Sequence, residues 1–151
     1  MTYVGGDPPN ESACFLCEAI TSSDDDGLLV VERRPLSITV LNRFPYNSGH
    51  VMVVPQRHVS DLRDLHDDES AALFSGCQRA LSALGNALHP EGYNVGINLG
   101  KPAGGSVDHL HMHVVPRWAG DTNFMPALAD TKVLPEHLEQ TAQKLRDAYT
   151  V

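Results

Sequence analysis

The chain has 151 residues, 42% of them hydrophobic, and a formal net charge of −8: enough for one domain with its own core, and the wrong sign for a general nucleic-acid binder. No apolar run approaches the ~18 residues of a membrane span, and "MTYVGGDPPNES" lacks the basic and apolar regions of a signal peptide. The expectation is a cytoplasmic protein with neither membrane nor nucleic acid as partner, and three cysteines, an odd number, do not make a disulfide framework.

Residues 1–13 are polar and rich in Gly and Pro, which reads as a flexible N-terminal arm, with 14–151 as a single domain. After "CFLCEAI" and the acidic turn "TSSDDDG", two β-branched runs, "LLVVERR" and "LSITVLNRF", flank Pro35 and read as a hairpin. A turn at Asn47–Gly49 leads to a third strand, Val51–Val54, stopped by Pro55. The period then changes. From Asp67 to Leu88, Leu73, Phe74, Cys77, Leu81, Leu84 and Leu88 recur at helical spacing, with Asp67 as the expected cap and Pro90 just beyond the end. Cys77, on that stripe, is expected in the core. "GYNVGINLG" and "HLHMHVVP" read as two more strands joined by "GKPAGGSVD". A last helix from Pro135 turns Leu138, Ala142, Leu145 and Tyr149 inward. The expected fold class is α+β, a mainly antiparallel sheet with one long helix and a C-terminal helix.

In an extended strand, side chains alternate faces. His109, His111 and His113 then share one face, and Leu110, Met112 and Val114 pack on the other. A polar edge strand needs no such register of three imidazoles beside a Gly-rich loop. Two chemistries do: a metal site built on His-x-His, or a nucleophilic imidazole with neighbours that hold its substrate. A binuclear metallohydrolase of the His-x-His-x-Asp-His type would need Asp where Met112 stands.

"HLHMHVV" fits His-φ-His-φ-His-φ-φ with φ apolar, and the chain resembles the histidine triad (HIT) family of nucleotide hydrolases and transferases. "NRFPYNSGHVMVVPQRH" and "GINLGKPAGGSVDHLHMHVVPRWAGD" extend the likeness over about residues 14–121. The resemblance implies a HIT-like fold and a reaction in which His111 attacks the α-phosphorus of an adenine nucleotide. It implies that His113 bonds phosphate oxygens and that His50 and His109 support the triad. Gly104, Gly105 and Ser106 of the Gly100–Ser106 loop would offer backbone N–H groups and a hydroxyl to phosphate, with Asn42 and Asn98 near the ribose and phosphates. The loop lacks the Gly-x-x-x-x-Gly-Lys-Ser/Thr order of a P-loop.

Cys14 and Cys17 are half a zinc site by spacing. The resemblance completes it with His58, in "PQRH", and His109, giving a closed Cys₂His₂ site in which zinc would be structural. No organic cofactor is implied.

Many HIT hydrolases carry Gln before the loop Ser or Thr, and here Gly105 takes that place. The expected effect is open space for a larger acceptor, inorganic phosphate rather than water. Together with "VVPRWAGDTNFMP" this resembles the diadenosine tetraphosphate phosphorylases of the family, with Trp118 stacking a base, walling the acceptor pocket, or serving as a core or interface aromatic. The alternatives are hydrolysis of dinucleoside polyphosphates or nucleoside phosphoramidates, or a non-catalytic nucleotide-binding interaction module. Relatives pair through their long helix and adjoining strand, so a homodimer is also implied.

Overall fold

The computed structural model describes residues 14–121 and 137–150; the expected arm at 1–13 and the expected helix start at Pro135 lie outside them. Helix α1 (Phe15–Thr21) precedes β1 (Val30–Arg33), β2 (Ser37–Leu41) and β3 (Val51–Pro55). Helix α2 (Asp67–Leu88), β4 (Gly92–Gly96), β5 (Met112–Arg117) and α3 (Leu138–Tyr149) follow. The strands form one sheet in the order β1-β2-β3-β5-β4, every pair antiparallel. The expected α+β architecture is the observed one.

The central strands are buried on both faces, so their sequences are continuous β-branched and apolar runs. Alternation divides them. Val51 and Val53 of β3 join Met112 and Val114 of β5 under Leu73, Cys77, Ala80 and Leu84 of α2 and Ala142 and Leu145 of α3. Met52 and Val54 face the other way, with Val30, Ile38 and Val40, against Leu16 and Ala19 of α1. His113 pairs with Met52 in the β3–β5 ladder and therefore lies on the α1 face.

Helix α2 keeps the expected span, but its cap differs. His66 takes the N-cap position, and its N–H donates to the Glu69 carboxylate at 2.8 Å. Arg57 grips Glu69 with two bonds of 2.9 and 2.6 Å, and Asp67 lies inside the first turn. Phe74 is a second correction. It is 66% exposed, because one residue past Leu73 is a rotation of about 100° out of the buried stripe.

Helix α3 turns Ala142 and Leu145 fully inward, with Leu138 and Tyr149 packed at the margin. Arg146 ties it to the sheet by donating to the Val30 carbonyl at 2.8 Å and pairing with Asp26 at 2.6 Å.

Two strand expectations run long. β4 ends at Gly96 and β5 begins at Met112, so His109 and His111 precede the strand. Leu110 N–H donates instead to the Val59 carbonyl at 2.7 Å, which holds this approach segment against the loop after β3.

Candidate active site and metal cluster

Gly49 turns the chain into β3 with φ +80°, where a Cβ would run into Leu88. The turn delivers His50 fully buried. Tyr46 N–H reaches His50 Nδ1 at 3.1 Å. An amide can only donate, so Nδ1 accepts and the proton sits on Nε2. His50 Nε2 lies 2.8 Å from His113 Nδ1 and donates to it. His113 therefore keeps its own proton on Nε2. Burial, and next to it the neighbouring His111, lower the His113 pKa to about 4.

His111 is fixed in the opposite tautomer. Its Nδ1 lies 2.7 Å from the His109 carbonyl oxygen, which can only accept. The proton is thus on Nδ1, and Nε2 carries the lone pair a nucleophile needs. The rings of His111 and His113 meet edge to face, with centroids 4.7 Å apart.

Both line a cleft of about 660 Å³. Leu28, Val40, Leu41 and Met52 give it an apolar wall, Phe15, Glu18 and Ala19 of α1 close one side, and Asn42, Phe44 and Tyr46 belong to the loop before β3. Asn42 bridges its own loop: its backbone N–H donates to the His50 carbonyl at 2.8 Å, and its Oδ1 accepts from Phe44 N–H at 2.9 Å. Of the Gly-rich loop, Gly104 and Ser106 reach the cleft.

Asn98, Gly105 and Trp118 are not among the lining residues. The Asn98 amide packs behind Gly104, 3.4 Å from where a side chain there would begin. Trp118 sits in the turn after β5, its N–H on the Asp121 carboxylate at 3.1 Å. Arg117 donates twice to the same carboxylate and Asn47 once, and these bonds hold Asp121 well below the usual carboxylate range. Gly105 corrects the expectation of open space: a Cβ there would point at the Gly100 carbonyl, 2.9 Å away, into the loop's own backbone. Nor are all the loop amides available, because Gly104 and Gly105 N–H already donate to the Lys101 and Gly100 carbonyls at 3.0 Å. The Ser106 amide and hydroxyl are not used by these bonds.

Behind the cleft, Cys14, Cys17, His58 and His109 converge, with ligand atoms all within 4.8 Å of one another. His109 Nε2 donates to the Pro55 carbonyl at 2.9 Å, leaving Nδ1 unprotonated and 3.5–3.6 Å from the two sulfurs. His58 Nδ1 lies 3.1 Å from Cys17 Sγ, and its Nε2 is buried with no hydrogen-bond partner. Two thiols and two imidazoles at such spacing fit the tetrahedral edges of a small divalent ion, roughly 3.5 Å for metal–ligand bonds of about 2.0–2.3 Å. The four expected ligands are those brought together, and they can hold a metal.

Phe15, Phe44 and Tyr46 did not emerge as site residues from the sequence. Phe15 carried a signal, because a residue between two clustered cysteines is placed wherever they are. Phe44 and Tyr46 carried none, since their position depends on how the 42–49 loop folds over β3.

The family model described as the HIT domain matches residues 27–120. Over 153 residues the chain is 52% identical to the AP-4-A phosphorylase of Mycobacterium tuberculosis (strain ATCC 25618 / H37Rv), covering 96% of this chain and 78% of that protein. It is 30% identical over 133 residues to the adenosine 5'-monophosphoramidase hnt1 of Schizosaccharomyces pombe, covering 88% and 96% of the two chains. A zinc-bound histidine triad family protein from Mycobacterium smegmatis superposes with a TM-score of 0.75 at 28% identity, over 93% of this chain and 96% of that one.

Proposed function

The chain belongs to the HIT domain family, and from that premise we propose that it is a nucleotidyltransferase acting at the α-phosphate of adenine dinucleotides, with diadenosine tetraphosphate as substrate and inorganic phosphate as acceptor. The observation that carries this is the tautomer of His111: its proton is held by the His109 carbonyl, so its lone pair is available to the cleft it lines. The 52% identity to a phosphorylase supports the choice of acceptor.

In this reading, His111 Nε2 forms a bond to the α-phosphorus while the bond to the bridging oxygen breaks. The leaving polyphosphate nucleotide departs with that electron pair. The imidazole becomes cationic, and the His109 carbonyl oxygen stabilises its Nδ1–H. A phosphate oxygen then attacks phosphorus, the P–N bond returns its pair to Nε2, and ADP leaves. His113 Nε2–H and the Ser106 amide and hydroxyl donate to the α-phosphate oxygens. His50 keeps His113 in the donating tautomer, and Asn42 lies at the ribose side. Asn98 and Gly105 act through the shape of the loop.

A second reading, water as acceptor, is favoured by Gly105: its missing side chain leaves no added room in the cleft, and a phosphoramidase lies among the relatives at 30% identity. Incubation with diadenosine tetraphosphate, with and without inorganic phosphate, separates the two. ADP plus ATP only with phosphate supports phosphorolysis; AMP plus ATP in both supports hydrolysis; no product in either turns the reading to nucleoside phosphoramidates or to a nucleotide-binding module.

Zinc is the ion that suits the closed Cys₂His₂ set, and its contribution is to cross-link α1 to the segment before β5. Residues 14–151 form one HIT domain, and a reducing, cytoplasmic setting suits thiols kept as ligands. A homodimer is supported by exposed Phe74 on α2 and exposed Val95 on β4, an edge strand with an open ladder. No helix among the described residues is long and apolar enough to cross a membrane.

A further inference from the structure

A dinucleoside polyphosphate has two bases, and the apolar wall formed by Leu28, Val40, Leu41 and Met52 has the character to take one of them. The loop before β3, which also lines the cleft, carries two aromatic rings open to solvent. Phe44 is 82% exposed and Tyr46 61% exposed, and both line the cleft. Large aromatics left in water at a cleft edge mark a binding surface.

These rings are also presented by a fixed backbone. Phe44 N–H is held by Asn42 Oδ1 at 2.9 Å and Tyr46 N–H by His50 Nδ1 at 3.1 Å. Pro45 between them is buried and restricts the backbone of Phe44. The Tyr46 ring lies tilted 4.8 Å from His50 and 6.2 Å from His113, next to the histidine assigned to phosphate. Arg43, also lining the cleft, donates to the Gly27 carbonyl at 2.9 Å and brings a guanidinium to the cleft of a chain with net charge −8. A cation and a pre-ordered aromatic face on one loop beside His113 suit outer phosphates and a base.

We propose that Phe44 and Tyr46 form the stacking site for the second base, the one that leaves with the polyphosphate, and so select dinucleotides over mononucleotides. This rests on the nucleotidyltransferase reading above. It assigns specificity to two side chains of a loop whose backbone, through Tyr46 N–H, already fixes the His50 tautomer.

The test compares diadenosine tetraphosphate with adenosine 5′-tetraphosphate, which has the same phosphates but no second base. The quantity measured is the ratio of their kcat/KM values. Wild type is expected to favour the dinucleotide, Phe44→Ala to reduce that ratio roughly tenfold, and Phe44→Trp to preserve it. A wild-type ratio near one, or a Phe44→Ala ratio equal to wild type, overturns the second-base site while leaving the activity intact. A change of oligomeric mass in Phe44→Ala also overturns it, by making Phe44 a contact between copies. Consumption of neither substrate by wild type defeats the nucleotidyltransferase reading itself, and this inference with it.

Discussion

The carbonyl oxygen of His109 accepts the Nδ1–H of His111 at 2.7 Å, while the His109 ring belongs to the Cys₂His₂ cluster. One residue thus serves His111 with its backbone and the Cys₂His₂ cluster with its side chain.

Replacing His111, the proposed nucleophile, is the first prediction. His111→Ala is expected to lower turnover by several orders of magnitude, as loss of a covalent nucleophile does elsewhere. Brief incubation of wild type with substrate, followed by intact-protein mass spectrometry under alkaline quench, should show an added AMP that the variant lacks. An adduct on the variant would place the nucleophile elsewhere.

Metal removal is expected to act on stability. The cluster ties α1 to residues far along the chain, and saturation at about a thousand times Kd stabilises a folded protein by ~4 kcal/mol. For a domain of this size that is a fall in Tm on the order of 10 °C on chelation. Elemental analysis should give one zinc per chain, and Cys17→Ala should lose both the zinc and the chelator-sensitive part of Tm.

His113 should titrate abnormally low. Its pKa is lowered to about 4, against about 6.5 in the unfolded chain, and protonating Nδ1 would also set two N–H groups against each other across the contact to His50. Between these values the unfolded state binds more protons, so this group removes stability as pH falls from about 6.5 to 4 and has no further effect below. NMR of the ring protons should give a midpoint near 4. A midpoint above 6 would contradict the assigned tautomers.

Gly105→Ala should destabilise the loop without redirecting the reaction. The new methyl meets the Gly100 carbonyl at 2.9 Å, an overpacking that costs about 1–3 kcal/mol. Thermal unfolding measures that cost. The partition between phosphate and water as acceptor should stay at its wild-type value; a switch toward water would restore this position as the control on the acceptor.

The sequence carries the periodic features of this fold well. The continuous apolar runs of β2 and β3, and the stripe from Leu73 to Leu84 apart from Phe74, are legible from composition and spacing, and the boundaries of α2 are those expected. What spacing does not carry is where a strand starts. Three histidines at every second position look like one strand face, yet His109 and His111 precede β5 because Val59 and Pro55 claim the segment's hydrogen bonds. The Cys₂His₂ set is legible through family resemblance, while its geometry depends on two carbonyls no motif encodes. Gly105 fails for a similar reason: a missing side chain reads as space only when the direction of its Cβ is known.

Helix α1 has seven residues, too few to persist on its own propensity. Cys14 and Cys17 gather with His58 and His109, while Phe15, Glu18 and Ala19 line the cleft. The wall is therefore a replaceable facing on a frame with its own anchors. Residues between and after the cysteines can be exchanged to reshape the cleft, and neither the proton on His111 nor the course of β5 has to change with them.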